Sequence, residues 1–279
     1  MRILSVMNHK GGVGKTTTAL NVAAALHEQG QRILLLDLDS QCSASFAMGL
    51  SRKQIAGSPS SADVLFHNRS ISDTCYHNMW PGVDLVPASI DLAHAGLQLN
   101  PGEGGLKHLA RALSDQEVID TYDTVLIDCP PAVSVVTLNA LLASTDLLIP
   151  TVPSYLSLEG LKSLGEVVAK TRSEHDNTLA LAGIAITRVS EDSSDAHDMA
   201  REIRDHYHRN VFDTVIPEHE AVEHAQQRHQ SVLRYAPDSE VSQRYRSLAG
   251  EITQRWAGYD SVLSGIRRHS TKQAVSPSV

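Results

Sequence analysis

Residues 10 to 17 read Lys10-Gly11-Gly12-Val13-Gly14-Lys15-Thr16-Thr17, a run whose residue types and spacing suit the binding of phosphate. Glycines let a backbone close on phosphate oxygens without a Cβ in the way, and the N–H groups that open a helix add donors and a favourable dipole. In such a loop Lys15 reaches the β and γ phosphates, and the Thr16 hydroxyl ligates Mg²⁺. His9 stands where the commoner loop has its first glycine, which makes this the variant Lys-Gly-Gly-x-Gly-Lys-Thr. Two groups of carboxylates complete the chemistry. Asp37 and Asp39 lie in Asp37-Leu38-Asp39-Ser40-Gln41, and Asp128 precedes Cys129-Pro130-Pro131. Each group follows a short apolar run, which puts it at the edge where an open α/β sheet places its ligands.

The elements that must hold these residues are legible as a pattern. Continuous apolar runs at 3–7, 33–36, 83–86, 124–127, 147–152, 180–187 and 211–216 suit strands buried on both faces. Between them, 16–29, 90–99, 106–115, 133–144, 158–175, 194–208 and 241–256 have helical composition and spacing. The phosphate loop thus sits between a strand and a helix, the context it requires. The alternation predicts an α/β fold, a single P-loop NTPase domain with a mainly parallel twisted sheet flanked by helices. The domain is expected to span 1–257, with 258–279 a flexible C-terminal tail, and 51–82 is the least regular stretch.

The chain has 279 residues, 42% of them hydrophobic, and a formal charge of −8. That balance excludes a globally basic nucleic-acid coat and leaves room for a local patch. The longest uncharged stretch, 129–145, is interrupted by prolines and polar residues, so a membrane span is not expected. Cys42, Cys75 and Cys129 are too few and too irregular for a disulfide framework. With no signal peptide at the N-terminus, a cytoplasmic home is expected.

The variant loop, taken with the Asp37–Gln41 and Asp128–Pro131 motifs, resembles the ParA/MinD family of deviant Walker ATPases, and its Soj-like partition branch in particular. The resemblance runs from Met1 to about Trp256 and implies ATP and Mg²⁺ as cofactors. Lys10 matches the signature lysine that crosses to the other subunit of an ATP-bound sandwich dimer. Asp128 matches the Walker B aspartate that holds Mg²⁺ through water. By the same resemblance Asp39 orients the attacking water, Asp37 supports the metal site, Gly11 to Thr17 hold the phosphates, and 130–138 is the second switch. Ser40 stands where partition ATPases usually carry proline. Pro217, ending Val215-Ile216-Pro217, matches the residue that walls the adenine.

The family further implies an ATP-dependent homodimer that binds nonspecific DNA on the nucleoid and positions a cargo. A ParB-like or other adaptor stimulates its hydrolysis. The cargo would be a plasmid or chromosome locus, or a protein assembly such as a carboxysome. Here Glu218 replaces a DNA-contacting arginine of the Soj-like branch, and residues 180–256 hold nine Arg, no Lys and thirteen carboxylates. DNA binding must then come from a local cluster among Arg201, Arg204, Arg228, Arg234, Arg244, Arg246, Arg267 and Arg268. The six histidines of the same span have no metal-site spacing. A MinD-like membrane-associated ATPase is the alternative, but 261–268 has too few bulky apolar residues for an amphipathic anchor, so no stable membrane association is expected. P-loop metabolic or iron-sulfur carriers would need a cysteine pair that Cys129 does not have.

Overall fold

The computed structural model describes residues 1–99, 104–190 and 192–273, with side chains as far as Tyr259. The chain begins with β1 (Arg2–Val6), α1 (Lys15–Glu28) and β2 (Ile33–Asp37), followed by three short helices, α2 (Ser43–Ala47), α3 (Arg52–Ala56) and α4 (Ser61–His67). A hairpin of β3 (Tyr76–Trp80) and β4 (Val83–Val86) leads through a 3-10 turn at Ile90–His94 to α5 (Ala95–Gln98), α6 (His108–Leu113) and α7 (Gln116–Thr121). The second half alternates β5 (Thr124–Asp128), α8 (Val135–Ala143), β6 (Asp146–Thr151), α9 (Tyr155–His175), β7 (Ala180–Val189), α10 (Ser194–Tyr207) and β8 (Val211–Pro217). It closes with α11 (Glu220–Gln227), α12 (Val232–Tyr235) and α13 (Glu240–Gln273).

The eight strands form one sheet in the order β3-β4-β2-β5-β1-β6-β7-β8, parallel except where β3 runs against β4. Every residue of β2, β5 and β6 is buried, as expected for strands covered on both faces. From β1 the chain crosses by α1 to β2 on one side, and from β5 it crosses by α8 to β6 on the other. Right-handed crossovers in opposite directions put α1 and α8 on opposite faces of the sheet and open a crevice at the carboxyl ends of β1, β2 and β5. Register makes those ends level: Val6 pairs with Asp128, and Asp128 with Asp37.

All seven apolar runs are strands. The eighth strand, β3, escaped the pattern because its sequence, Tyr-His-Asn-Met-Trp, is mostly polar and lies at the sheet edge. Two of the short helices in the irregular stretch start at reciprocal caps. Ser51 receives the Gln54 N–H while Gln54 accepts from the Ser51 N–H, and Asp63 accepts from the Ser60 N–H. The final helix does not stop at 257; helical backbone continues through Gln273, so the segment expected as a tail from 258 begins inside α13. Residues 274–279 lie outside the described residues. Asn139, fully buried on α8, donates to the Gly105 carbonyl at 2.7 Å, which makes it a packing clasp.

The far end of the sheet is closed by Arg255 of α13. Its guanidinium donates to the carbonyls of Ala182 (2.7 Å) and Val211 (3.0 Å) and lies 4.0 Å above the Phe212 ring. A Cβ on Gly183 would fall 2.4 Å from that guanidinium and 2.6 Å from the ring. Gly183→Ala should therefore destabilise the protein by about 2 kcal/mol, the scale of an overpacked core, and lower Tm by several degrees in a thermal melt. An unchanged Tm would mean that the clasp yields freely.

Candidate functional site

The phosphate loop leaves β1 and enters α1 through glycines in the left-handed region, Gly12 at φ 73° and Gly14 at φ 80°. Gly14 caps the helix, whose first turn holds no acidic residue and begins with Lys15. A cation at the positive end of a helix dipole is unfavourable until an anion joins it. No atom lies within 4 Å of where a Cβ on Gly11 would stand, so the space in front of the loop is open. Behind it the loop is braced from β7: Thr187 Oγ1 donates to the Val13 carbonyl at 2.9 Å, and Arg188 Nη1 to the Gly12 carbonyl at 2.8 Å. Lys15 folds back and donates to the Lys10 carbonyl at 3.1 Å. Burial lowers its pKa, against the pull of Asp128 and Asp39.

The two strand-end carboxylates have different surroundings. Asp37 is fully buried and accepts from the Asp39 N–H (3.1 Å), the Ser45 N–H (2.9 Å) and the Ser45 hydroxyl (2.7 Å), so it holds the turn into α2. Burial outweighs these bonds and raises its pKa to about 6. Asp128 is equally buried, and neither of its oxygens has a hydrogen-bond partner among the described residues. Burial first, then the charge of Asp37, pushes its pKa well up; the Thr16 hydroxyl favours the anion without closing a bond of ordinary geometry. An orphaned carboxylate beside a hydroxyl offers oxygen ligands suited to Mg²⁺, and the nearby ammonium suits the phosphate that such an ion accompanies. Asp39 lies half-exposed on the cleft wall, its Oδ1 accepting from the Gln41 N–H at 3.0 Å.

In front of the loop lies a cleft of about 710 Å³, lined by Gly11, Gly12, Gly14, Lys15, Thr16 and Thr17 on one side and by Ile216, Pro217, Val222, Gln226 and Tyr245 on the other. Pro217 is thus on the cleft wall. Lys10 is exposed, and its ammonium donates to Ser154 Oγ at 2.9 Å, at the head of α9. The structure therefore brings together Gly11, Gly12, Gly14, Lys15, Thr16, Thr17, Asp39 and Pro217 around one cleft. Asp37 and Asp128 lie beneath the cleft, Val13 is turned into the core, and Lys10 stands at the rim.

Three contributors were missed by sequence reasoning: Thr187, Arg188 and Gln226. Gln226 Nε2 donates to Thr17 Oγ1 at 3.1 Å, and the neighbouring Val232 N–H donates to Asn21 of α1 at 2.8 Å. His229, between α11 and α12, meets the Phe46 carbonyl with Nδ1 at 3.0 Å, and its own carbonyl accepts from the Trp80 indole at 2.8 Å. Glu218, which stands at the altered DNA-contacting position, lines the cleft and holds Arg188 at 2.8 Å, so reversing its charge would also disturb the brace on Gly12.

Comparison with known proteins follows this geometry. An AAA-domain family profile matches residues 1–181. The chain is 34% identical to the chromosome partitioning protein ParA of Caulobacter vibrioides, over 91% of this chain and 95% of that one. It is 32% identical to the sporulation initiation inhibitor protein Soj of Bacillus subtilis, over 90% and 98% respectively. Among solved structures, cobyrinic acid a,c-diamide synthase of Mycobacterium smegmatis with bound ADP and magnesium superposes with a TM-score of 0.78 at 30% identity, covering 92% of this chain and 96% of that one.

A carboxyl group whose pKa is raised on folding binds its proton more tightly in the folded chain. Its contribution to stability is then greatest at low pH and is lost as pH rises through the folded value. For Asp37 the window runs from the ordinary carboxylate range up to about 6. In the nucleotide-free protein Asp37→Asn should flatten the fall in Tm between pH 4 and pH 6 relative to wild type. Identical slopes in the two proteins would assign the pH dependence elsewhere.

Proposed function

Since the chain belongs to the ParA/Soj family of P-loop ATPases, we propose that it binds and hydrolyses Mg·ATP in this cleft and works as a partition ATPase. The observation that carries the reading is the meeting of a buried Lys15 with an orphaned Asp128 at the foot of an open glycine loop. Gly11 to Gly14 and the start of α1 direct N–H groups at the phosphates, and Lys15 neutralises their charge. Thr16 and Asp128 would hold the metal, which when bound polarises the terminal phosphoryl group. Asp37 supports that site from beneath by fixing the turn into α2. Asp39 sits on the first switch, where a carboxylate aligns water for attack. Pro217 and Val222 offer apolar surface to the base.

The same reading makes ATP the trigger for a homodimer. Two facing triphosphates demand added positive charge, and Lys10 supplies it in trans after leaving Ser154. The dimer then binds nonspecific DNA at the nucleoid, and an adaptor of the ParB kind stimulates hydrolysis to release it, so that a cargo is moved or held. Among the described residues no helix is long and apolar enough to cross a membrane. The side chains of the 261–268 segment, including Arg267 and Arg268, lie outside the described residues.

The arginine candidates are not equal. Arg201, Arg204, Arg244 and Arg246 face Asp198, Asp213, Glu240 and Glu28, which offset their charge. Arg234 is exposed with no ion pair among the described residues, and Arg228 stacks on the Tyr235 ring beside it at 5.0 Å. These two, at the C-terminal cap of α11 and on α12, form the favoured DNA footprint.

Lys15→Ala should abolish ATP binding or turnover, and Asp39→Ala should keep ATP bound while slowing hydrolysis at least about a hundredfold, both read in a phosphate-release assay with parallel nucleotide titration. Wild-type turnover in either variant removes that residue from the mechanism. In fluorescence anisotropy with random-sequence duplex, ATP-loaded protein should bind more tightly than ADP-loaded protein, and added salt should weaken the binding steeply. Arg234→Glu should weaken it by about tenfold or more, and Arg244→Glu by much less. No ATP-dependent binding even at low salt would overturn the nucleoid mechanism.

A further inference from the structure

On the far edge of the sheet from β8, the β3–β4 hairpin gathers a thiol, an imidazole and a carboxylate that the nucleotide cleft does not use. Cys75 immediately precedes the edge strand and His77 lies on it, two residues apart along the chain. Tyr76 pairs with Leu85 in antiparallel register, and where the register then shifts Asp84 accepts from the Asn78 N–H at 2.7 Å and meets the His77 ring. The Cys75 Sγ lies 4.0 Å from His77 Nδ1, and that nitrogen lies 2.8 Å from Asp84 Oδ2. One ligand atom from each of the three falls within 4.8 Å of the others. Behind them the Tyr122 hydroxyl donates to the same Asp84 oxygen at 2.7 Å and approaches Cys75 Sγ at 3.5 Å.

Donor atoms around a tetrahedral zinc ion, with bonds of about 2.0–2.3 Å, stand roughly 3.5 Å apart. The Cys75–His77 pair is already within about half an ångström of that separation, and the His77–Asp84 pair needs to open by less than about 1 Å. His77 is exposed, so its ring can turn without moving the core, while Cys75 and Asp84 are half-buried and form the wall. The thiol lies within reach of both ends of the hydrogen-bonded run from Tyr122 through Asp84 to His77. We propose that Cys75, His77 and Asp84 form a binding site for one Zn²⁺ ion, with water or the Tyr122 hydroxyl as the fourth ligand. A mixed sulfur, nitrogen and oxygen set favours such a borderline ion over Mg²⁺, which takes oxygen ligands. The ion would pin β3 to β4 within the edge hairpin and, with the Tyr122 hydroxyl as fourth ligand, would also tie the hairpin to the segment that leads into β5, remote from the phosphate loop.

The test uses the full chain, stripped of metal and kept reduced, titrated with Co²⁺ without nucleotide or Mg²⁺ and then with Zn²⁺. One Co²⁺ per chain should bind with a thiolate-to-metal absorption band, and one equivalent of Zn²⁺ should displace it and raise Tm. Cys75→Ala should lose the band, and His77→Ala should weaken binding at least about tenfold. Cys42→Ala and Cys129→Ala should keep the band, which separates this site from the thiol beside Asp128. Because His77 is exposed, His77→Ala keeps the test decisive if Cys75→Ala fails to fold. Absence of a thiolate band in the wild type, its persistence in Cys75→Ala, or unchanged affinity in His77→Ala would overturn the site.

Discussion

Two carboxylates, Asp37 and Asp128, end neighbouring parallel strands in register and are both shut away from water. Desolvation penalises the charged form of each, and the charge of Asp37 further disfavours the ionisation of Asp128. The fold meets the problem asymmetrically. Asp37 is supplied with three donors from its own downstream turn, and Asp128 with none. The first arrangement fixes the course of the chain from Leu38 to Ser45. The second leaves a site that a divalent cation suits, with Lys15 and the Thr16 hydroxyl on its open side. Much of the remaining architecture, from the level strand ends to the placing of α1, serves to keep these groups together at the mouth of one crevice.

The rim of that crevice follows a second electrostatic adjustment. Arg188 has a positive φ of 53° and spans from the Gly12 carbonyl to Glu218, linking β7, the phosphate loop and the end of β8. The ion pair is half exposed, so its worth lies less in stability than in position. It accounts for an acidic residue at a place where a basic one was expected. It also shows why the arginine content of the C-terminal third is a poor guide to surface potential: several of those arginines already face carboxylates. Arg228 and Arg234 stand apart because their neighbours are an aromatic ring and solvent.

Much of this was legible in the sequence because buried parallel strands write themselves as uninterrupted apolar runs, and because a phosphate loop has a spacing that other structures rarely share. Lys15, Thr16 and Asp128 could be named from their motifs; the first two open α1 and the third ends β5. Other features depend on partners distant in sequence. Nothing in the neighbourhood of Thr187 or Gln226 announces a contact with the loop some 170 to 210 residues earlier. The edge strand β3 was hidden by its polar residues, and the short helices after β2 by their length. Their caps, Ser51 with Gln54 and Ser60 with Asp63, were present as a readable signal. Helical backbone runs on past Trp256 through Gln273, although Gly258 and Gly265 gave no sign of it in the sequence.

The connection between α11 and α12 is tied to three other elements: to α1 through Thr17 and Asn21, to α2 through Phe46, and to β3 through Trp80. It has no free path to move while those three stay still. Any ligand held on its outer face that prefers one setting of this connection must therefore also favour one setting of the phosphate loop. Thermodynamic linkage makes that influence mutual and equal in size. A nucleotide that alters the affinity of the α11–α12 face by some factor is itself bound more tightly or more weakly by the same factor when that face is occupied.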